Sequence, residues 1–573
     1  MSKFAVLFLF SATVISLPIV FSRNVSFGLT SAETDVLASV SGAEAYSYGT
    51  QLENIALSHL AFRSAGSAGA NETADWIANQ FQSFGLEVEK EEFQFTTWDL
   101  LSEPTLIIDD DANFATTGDQ KAIESFQSIH YSWPGNVFAD LVVLPLPAAA
   151  SYDEIGANAI DTVAWDAIDT TGKVILIGRE VRWNHIWEET YTNKLSTQTP
   201  KAVIYTWWYD WMAFVPDFFS SAGGRPISSF GCYYWDLGIS VGFTSYDDGL
   251  WIRGRESSMD VYAKFVIDSV VDVGSHYNVV GKLTGRREPD KFVIVSGHYD
   301  TVMCAGFCDN GAGVSGVIEL ARVFAEAVSG GSYYPRFTIL FVAFASEELG
   351  LVGSVNYVMQ HESQMNDIVA VINMDCIGSD NLYVGETDPG VLFDLDELVL
   401  EAAGDLGVSI TLEEPGGADE EVFRVPASGN QFYSYIWGLW EGIHDATPVE
   451  SSTALASYPT IYLEKWDAGT PGWIHTSYDN STSTETLNWV EADDLENHIK
   501  VAALTIMRVS PSVLIGDLNS DGIVDIFDVV TVSVAFGSEL GDANWNQAAD
   551  LNNDDVVDIF DIVLLANNFG KTA

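Results

Sequence analysis

Four apolar runs of strand length are each followed by a histidine or a carboxylate, and this recurrence constrains the fold more than any other feature. The runs are Phe292–Ser296, Phe337–Ala345, Ile368–Met374 and Thr460–Leu463, with helical patterns at Gly311–Val328 and Leu392–Ala403. Strands that alternate with helices build a sheet that helices cover on both faces. The sequence therefore predicts an α/β fold with a mixed, mostly parallel sheet, whose carboxyl edge gathers the polar side chains.

The polar residues behind these runs form a candidate metal centre. They are His298, Asp300, Asp309, Glu347, Glu348, Asp375 and His475. Two imidazoles with several carboxylates suit zinc, with manganese or cobalt as substitutes. Because Glu347 and Glu348 are adjacent at a strand end, one can bind a metal while the other acts as a general base. Asp300, two residues after His298, can support the imidazole from behind.

Taken one at a time, these fragments are weak signals. A lone His-x-Asp is more often a structural histidine, and a Glu-Glu pair usually marks a solvated helix start. The complete set at successive strand ends is far more specific. Asn310, just before the helical pattern, is predicted to cap that helix and so to hold Asp309 at a rigid position.

The charge balance excludes several classes of function. Lysine and arginine number 25 and aspartate and glutamate 81, which gives a net charge of -56. Nucleic-acid binding needs a cationic face, and anionic membranes attract basic segments, so neither is the expected partner. Hydrophobic residues make up 47%, which is too many for a disordered acidic chain. This balance suits a folded protein that binds cations, lives in salt, or both.

The N-terminus is typical of an exported protein. An uncharged run, Phe4–Phe21, lies between Lys3 and Arg23 and is interrupted by Pro18. We expect residues 1–23 to be a signal peptide, with an uncleaved anchor as the alternative, and the protein to be secreted or attached to the cell surface. The four cysteines, Cys232, Cys304, Cys308 and Cys376, are compatible with one or two disulfides or with free buried thiols.

The rest of the chain divides into four parts. Residues 24–48 are small, polar and unpatterned, which predicts a linker. Residues 49–115 and 276–508 carry the α/β pattern. Between them, residues 116–275 contain short strand-like runs separated by Trp- and Tyr-rich loops, which predicts an inserted β-rich domain. Residues 509–573 form a small all-helical unit with an internal repeat.

The repeat predicts two calcium loops, because hard oxygen ligands at alternate positions of a twelve-residue loop wrap one cation. The ligands are Asp517, Asn519, Asp521, Ile523, Asp525 and Asp528 in the first loop and Asp550, Asn552, Asp554, Val556, Asp558 and Asp561 in the second. Ile523 and Val556 contribute main-chain carbonyl groups. The sixth position is Gly522 in the first loop but Asp555 in the second, so the second turn is less favourable.

The strand-end set resembles the zinc-dependent exopeptidase family with two co-catalytic metals, which includes bacterial leucyl aminopeptidases and relatives of glutamate carboxypeptidase. The segment Arg63–Ser67 also looks like the opening of that family. The resemblance implies the following roles: Asp309 bridges two zinc ions, His298 and Asp375 complete one site, Glu348 and His475 complete the other, Glu347 is the general base, and Asp300 orients His298. One departure is Ser428-Gly429-Asn430, where the family often has an Asp-bearing loop.

Two further resemblances concern the other units. Asp169–Arg179 and Ile239–Phe243 look like parts of a protease-associated domain, with an ordinary β-rich insertion as the alternative. The C-terminal repeat looks like a dockerin module, which implies a cohesin-type protein partner. Together the resemblances imply a secreted aminopeptidase that acts on peptides. The alternatives are a carboxypeptidase of the same family and a non-catalytic receptor on the same fold, although such receptors lose metal ligands.

Overall fold

The structure is a computed structural model that describes residues 29–112, 114, 120–128, 132–144, 167–178, 197–206, 239–379, 382–385, 395–413, 418–424, 460–464, 479–482, 490–519, 522–552 and 554–571. The predicted signal peptide at 1–23, Cys232, His475 and Asp521 lie outside these residues. The other three cysteines are free thiols.

The described helices are α1 (Ser31–Ser39), α2 (Gly42–Ser58), α3 (Ala68–Ser83), α4 (Tyr246–Glu256), α5 (Gly313–Gly330), α6 (Val352–Gln360), α7 (Leu395–Leu406), α8 (Glu421–Arg424), α9 (Ala492–Val509), α10 (Ile526–Ala535) and α11 (Ile559–Asn568). None of the helices in these ranges combines the length and the apolar composition that crossing a bilayer requires.

The described strands are β1 (Glu87–Leu100), β2 (Thr105–Asp109), β3 (Lys121–Ala122), β4 (Gln127–Ser128), β5 (Gly135–Val143), β6 (Val174–Gly178), β7 (Ala202–Thr206), β8 (Ser240–Thr244), β9 (Val261–Ile267), β10 (Ser269–Leu283), β11 (Glu288–His298), β12 (Phe337–Phe344), β13 (Ile368–Met374), β14 (Leu382–Gly385), β15 (Ile410–Glu413) and β16 (Thr460–Glu464).

The first sheet has the strand order β1-β10-β12-β11-β13-β16-β14-β15. Its centre is parallel, because β11 pairs in parallel with both β12 and β13, and β13 pairs in parallel with β16. β1 and β10 add an antiparallel edge, and β14 runs antiparallel to β16. The predicted mixed α/β sheet is confirmed, and the carboxyl ends of β11, β12 and β13 lie side by side.

Side chains of β12 alternate between two apolar layers, as the period of a strand requires. Ile339 and Phe341 belong to the larger core, to which α2, α3, α5 and α9 contribute, whereas Leu340 and Val342 belong to a smaller core with α6 and α8. All eight residues of the strand are buried. Helices therefore cover both faces of the sheet, as the sequence predicts.

The prediction of a linker at 24–48 is wrong for its second part, where α1 and α2 begin. Thr30 and Glu33 form a reciprocal cap at the start of α1. α2 begins against α9 through a small residue, because a Cβ atom added to Gly42 would lie 1.8 Å from the Ala492 carbonyl oxygen. α1 is short and buries the adjacent residues Val36 and Leu37. Neither segment therefore shows the spaced large apolar residues by which a helix is recognised in a sequence.

The inserted domain forms a second eight-stranded sheet with the order β3-β2-β9-β5-β6-β7-β8-β4. The strands β5 to β8 are parallel to one another, and α4 packs on β5 and β7. The predicted boundaries at 116 and 275 need correction. The chain leaves the first sheet at Leu100 and returns to it at Ser269, while β2 already pairs within the second sheet. The long pairing of β1 with β10 obscures these boundaries in the sequence.

The C-terminal unit is a small helical module with its own core. That core consists of Val524, Val532, Ala535, Ala549, Val557 and Leu565. The two halves exchange main-chain hydrogen bonds, because Val524 donates to Lys571 after α11, and Val557 donates to Ser538 after α10. The predicted all-helical unit is thus a single body built from both repeats.

This module lies against the end of the first sheet where the central strands begin. The N–H of Val513 donates to the carbonyl of Tyr334 at 2.7 Å, three residues before β12 starts at Phe337. Arg286, in the turn between β10 and β11, donates to the Leu551 carbonyl at 3.4 Å. The module therefore contacts the sheet at the end opposite to the carboxyl ends of β11, β12 and β13.

Candidate metal centre

Strand ends bring the predicted residues to one edge of the sheet. His298 is the last residue of β11, and Asp375 directly follows β13. β12 ends at Phe344, and Glu347 and Glu348 then open a short 3₁₀ turn. Since these three strands are neighbours and run parallel, their carboxyl ends bring the four residues to the same edge of the sheet.

Three predicted ligands converge there. His298 Nε2 lies 3.2 Å from Asp309 Oδ1 and 3.4 Å from Asp375 Oδ1. The ligand atoms of the three residues all lie within 4.8 Å of one another, and all three residues are buried. Glu347 Oε2 is 3.8 Å from the same imidazole nitrogen. An imidazole and three carboxylates therefore share one small volume.

The donor atoms fit a divalent cation. His298 Nε2 and Asp375 Oδ1 are buried, and neither has a hydrogen-bond partner among the residues that the structure describes. An unsatisfied buried polar atom costs about 1–3 kcal/mol, so two of them facing each other need a ligand. A cation between them satisfies both atoms, and one imidazole with carboxylates is a donor set that zinc accepts.

Asp300 acts on two neighbours through different groups. Its main-chain oxygen lies 3.2 Å from His298 Nδ1, whereas its carboxylate Oδ1 lies 3.7 Å from that nitrogen. Because a carbonyl oxygen only accepts, Nδ1 is the donor and Nε2 is left as the ligand atom. The carboxylate accepts hydrogen bonds from the N–H groups of Glu347 at 3.0 Å and Glu348 at 3.3 Å. The side chain therefore fixes the glutamate turn more directly than it fixes the imidazole.

A buried aspartate holds the loop that carries Asp309. Asp479 is fully buried, and its carboxylate accepts hydrogen bonds from the N–H groups of Cys308 at 2.6 Å and Asp309 at 3.1 Å. The guanidinium of Arg63, also fully buried, donates to the Gly306 carbonyl at 3.0 Å. The loop is thus held at several points before the start of α5.

Asn310 links this loop to β13. Its Oδ1 accepts a hydrogen bond at 2.9 Å from the N–H of Gly313, the first residue of α5, so it satisfies a helix-start N–H as predicted, although Ala312 directly precedes the helix. Its Nδ2 donates to the Met374 carbonyl at 2.9 Å. Because Met374 directly precedes Asp375, one side chain sets the spacing between Asp309 and Asp375.

Burial and negative charge shift the acid–base properties of the centre. Burial raises the pKa of Glu347 well above its usual range; His298 opposes this shift, and the carboxylates of Glu348 and Asp375 increase it. Burial lowers the pKa of His298, but Asp375 and Glu347 outweigh it, so the pKa of His298 lies well above its ordinary value. Both directions indicate an excess of buried negative charge, which bound cations neutralise.

The cluster that the described residues form does not include the other two predicted ligands, Glu348 and His475. Glu348 is buried, and its N–H is bonded to Asp300, but it is not one of the three residues whose ligand atoms converge. His475 lies outside the described residues. The described part of the chain therefore defines one cluster of ligand atoms, and the second metal position stays a prediction.

Two buried carboxylates near the centre were not predicted. Asp419 is fully buried, and burial raises its pKa to about 7 against the opposing effect of His298. Glu420 accepts a hydrogen bond from Asn373 Nδ2 at 3.2 Å. The sequence signal was a pair of acids after Gly416-Gly417, and nothing local reveals that they pack behind β13.

The two predicted calcium loops have matching hydrogen bonds. At the twelfth position, Asp528 Oδ1 accepts from the Leu518 N–H at 2.7 Å, and Asp561 Oδ1 accepts from the Leu551 N–H at 2.6 Å. Both aspartates are fully buried. The last ligand of each predicted loop is thus already folded back onto the beginning of the loop.

The sixth position of each loop has a left-handed backbone. Gly522 has a φ of 81° and Asp555 a φ of 64°. In each case the N–H donates at 2.9 Å to the first ligand of the loop, Asp517 or Asp550. Glycine adopts this conformation without steric cost, whereas aspartate does not, so the predicted difference between the loops has a structural basis.

The helices that follow the loops expose equivalent apolar side chains. They are Ile526, Phe527 and Val530 on α10 and Ile559, Phe560 and Val563 on α11, each separated from its equivalent by the repeat offset. All six are about half exposed or more. Repeated exposed apolar groups on one small module are typical of a protein-binding surface.

The part of the chain that carries the candidate centre is similar to known peptidases. Residues 278–489 match Peptidase family M28. A probable zinc metalloprotease of Pyrenophora teres f. teres is 36% identical over 120 residues, which is 19% of this chain and 24% of that protein. An aminopeptidase of Pseudomonas aeruginosa is 35% identical over 150 residues, or 26% of each chain. The chain spans about a quarter of the length of these curated relatives.

The fold is also similar to that of a solved structure. A zinc aminopeptidase from Bacillus subtilis superposes with a TM-score of 0.54, covering 82% of this chain and 96% of that chain at 19% identity. At this identity the likeness shows a shared mixed α/β fold.

Proposed function

We propose that this chain is a secreted, zinc-dependent aminopeptidase that removes N-terminal residues from peptides. The observation that carries the proposal is the convergence of His298, Asp309 and Asp375, with Glu347 beside them. The match of residues 278–489 to Peptidase family M28 supports it, as do the names of the relatives, which are zinc metalloproteases and aminopeptidases.

In this proposal the centre holds two zinc ions. Asp309 would be shared by both ions, His298 and Asp375 would hold one of them, and Glu348 and His475 would hold the other. When bound, the ions would activate a water molecule for attack and polarise the scissile carbonyl. The excess of buried carboxylates is the feature of the chain that favours more than one cation.

Glu347 is the general base. Its carboxylate lies at the centre, 3.8 Å from His298 Nε2, where it would accept a proton from water and return it to the leaving amine. The hydrogen bonds from the main chain of Glu347 and Glu348 to Asp300 keep the carboxylate directed at the centre. A preference for the cationic amino end of a peptide follows from the negative surroundings, to which Asp300 and Asp419 add.

The other units place the enzyme rather than perform the chemistry. We propose that residues 514–571 bind calcium and then a cohesin-type protein through the repeated apolar groups of α10 and α11. The second sheet is proposed to be a protease-associated domain that shapes access to the cleft. The N-terminal apolar run supports export.

The test is hydrolysis by the purified full chain, with zinc measured by elemental analysis. We expect release of nitroaniline from aminoacyl-nitroanilides and stepwise removal of N-terminal residues from free peptides, with no reaction on N-acetylated peptides. Phenanthroline, which prefers zinc to calcium, should abolish the reaction, and added zinc should restore it.

Two results distinguish the alternatives. Release of C-terminal residues from N-acetylated peptides would assign a carboxypeptidase instead. A chain that carries zinc at two equivalents but hydrolyses no peptide would support a receptor role. A fully folded chain that binds no zinc would contradict the assignment of the centre.

A further inference from the structure

The turn that carries Glu347 and Glu348 has an unusual backbone. Ser346, just before Glu347, has φ 61° and ψ 33°, and Leu351, just before α6, has φ 61°. Residues with a β-carbon rarely adopt this left-handed conformation. Such conformations persist only where the surroundings determine them, and they concentrate at functional sites. The groups that hold Ser346 therefore decide where Glu347 lies.

β10 supplies two side chains that bond to Ser346 and to the residues around the turn. His276 Nδ1 lies 2.7 Å from Ser346 Oγ, within hydrogen-bond distance. Asn278 Oδ1 accepts from the Ala345 N–H at 3.2 Å, and Asn278 Nδ2 donates to the Gly353 carbonyl at 2.9 Å. Because the two residues are separated by one position on a strand, they face the same side of the sheet. Both are buried.

Aromatic side chains fix the imidazole itself. The ring of His276 stacks on Phe93 with centroids 5.4 Å apart and meets the edge of Phe95 at 6.1 Å. A ring that is packed in this way has little freedom to turn. Its contact with Ser346 is therefore a fixed point for the turn on the β10 side, while Asp300 holds the turn on the β11 side.

We propose that His276, acting through Ser346, is a positioning residue for Glu347. The assignment rests on the proposed function, in which Glu347 is the general base. Rotation about the Ser346 backbone moves Glu347 directly, so loss of the hydroxyl contact displaces the carboxylate from the centre.

The experiment compares Ser346→Ala, His276→Phe, His276→Asn and the double variant Ser346→Ala/His276→Phe in the full chain loaded with zinc. We expect Ser346→Ala and His276→Phe each to lower kcat about 10- to 100-fold, because small displacements of a catalytic group have effects of this size. KM and zinc content should stay within twofold of the original protein. The double variant should be no slower than the slower single variant, because both changes remove one contact.

His276→Asn restores a hydrogen-bonding group near the position of Nδ1, so it should recover part of kcat. Thr505→Ala is the matched control, since Thr505 is buried in α9 and its hydroxyl donates to the Val501 carbonyl, away from the turn. It should lower thermal stability without changing kcat. These two variants separate positioning from a general loss of packing.

An active unmodified protein whose kcat is unchanged in Ser346→Ala overturns the positioning role alone. Loss of kcat in proportion to lost zinc, or an equal loss in Thr505→Ala, also overturns it. An unmodified protein that is inactive on all peptides overturns the proposed function and this assignment together.

Discussion

The candidate metal centre and the two predicted calcium loops both gather carboxylates, but they hold them by different means. At the centre, His298 ends one strand of a large buried sheet and Asp375 follows another, and the main chain around them is fixed by Asp300, Asn310 and Asp479. In the calcium loops, the ligand residues themselves supply the hydrogen bonds that shape the backbone, and only a small core lies beneath them.

This difference predicts whether loss of a cation affects catalysis or folding. A centre built on a large sheet keeps its geometry when the ion leaves, so ion removal affects chemistry. A loop whose fold is made by its own acidic ligands loses its balance of charge when the ion leaves, so ion removal affects folding. The predictions below test this distinction, beginning with the largest effect.

Glu347→Gln should lower kcat about 10²- to 10⁴-fold, the usual contribution of a general acid–base group. The amide keeps the size of the side chain but cannot accept the proton. Zinc content and the thermal unfolding curve should match those of the original protein, as expected for a centre that the sheet preforms. Activity assays with zinc analysis check this. Normal turnover would contradict the role of Glu347.

Removal of calcium with EGTA should unfold residues 514–571 and leave the α/β sheet folded. The helical signal of α10 and α11 in circular dichroism should fall, while peptidase activity should persist. Phenanthroline should give the reverse result, with activity lost and circular dichroism retained. A far-UV signal that is insensitive to calcium would break the comparison between the two regions.

Asp555→Gly should stabilise the second loop by about 1 kcal/mol, because glycine adopts the positive φ without steric strain. Gly522→Asp should destabilise the first loop by a similar amount. Calcium titrations of the two variants, with calorimetry as the readout, measure both changes. Equal affinities in the original protein and both variants would show that the backbone at position six is irrelevant.

Removal of a single partly exposed ion pair should give the smallest change, a small loss of thermal stability. His361 Nε2 lies 2.8 Å from Glu91 Oε1, and this contact raises the pKa of His361. The stabilisation is fully present below the unfolded pKa near 6.5 and is lost as the pH rises through the raised folded value. His361→Gln should therefore lower the melting temperature slightly at pH 6 and less above the folded pKa. An equal effect at both pH values would contradict this origin.

Much of the sheet and its edge could be predicted, because local patterns encode them. Apolar runs such as Ile368–Met374 show strand length directly, and parallel strands place their ends together. The capping role of Asn310 was also visible, since an asparagine before a helical pattern has one common use.

The missed features depend on tertiary contacts. α1 is short and buries the adjacent pair Val36 and Leu37, and the first turns of α2 pack through glycine and alanine, so neither segment shows a clear apolar periodicity before residue 49. Asp419 becomes significant only because it is buried near the centre, and no local signal shows that burial. The predicted boundaries of the insertion, 116 and 275, differ from the observed ones because β1 and β10 continue as one long pair to Leu100 and Ser269.

The position of the C-terminal module has a consequence for a tethered enzyme. It contacts the sheet near Tyr334 and Arg286, where the strands begin, and β12 then runs for eight residues towards the reactive edge. At about 3.3 Å per residue, the strand alone separates the two ends by about 26 Å. If the proposed partner holds the module at a surface, the edge that carries His298 and Asp375 would face away from that surface, and peptides would reach it without meeting the anchor.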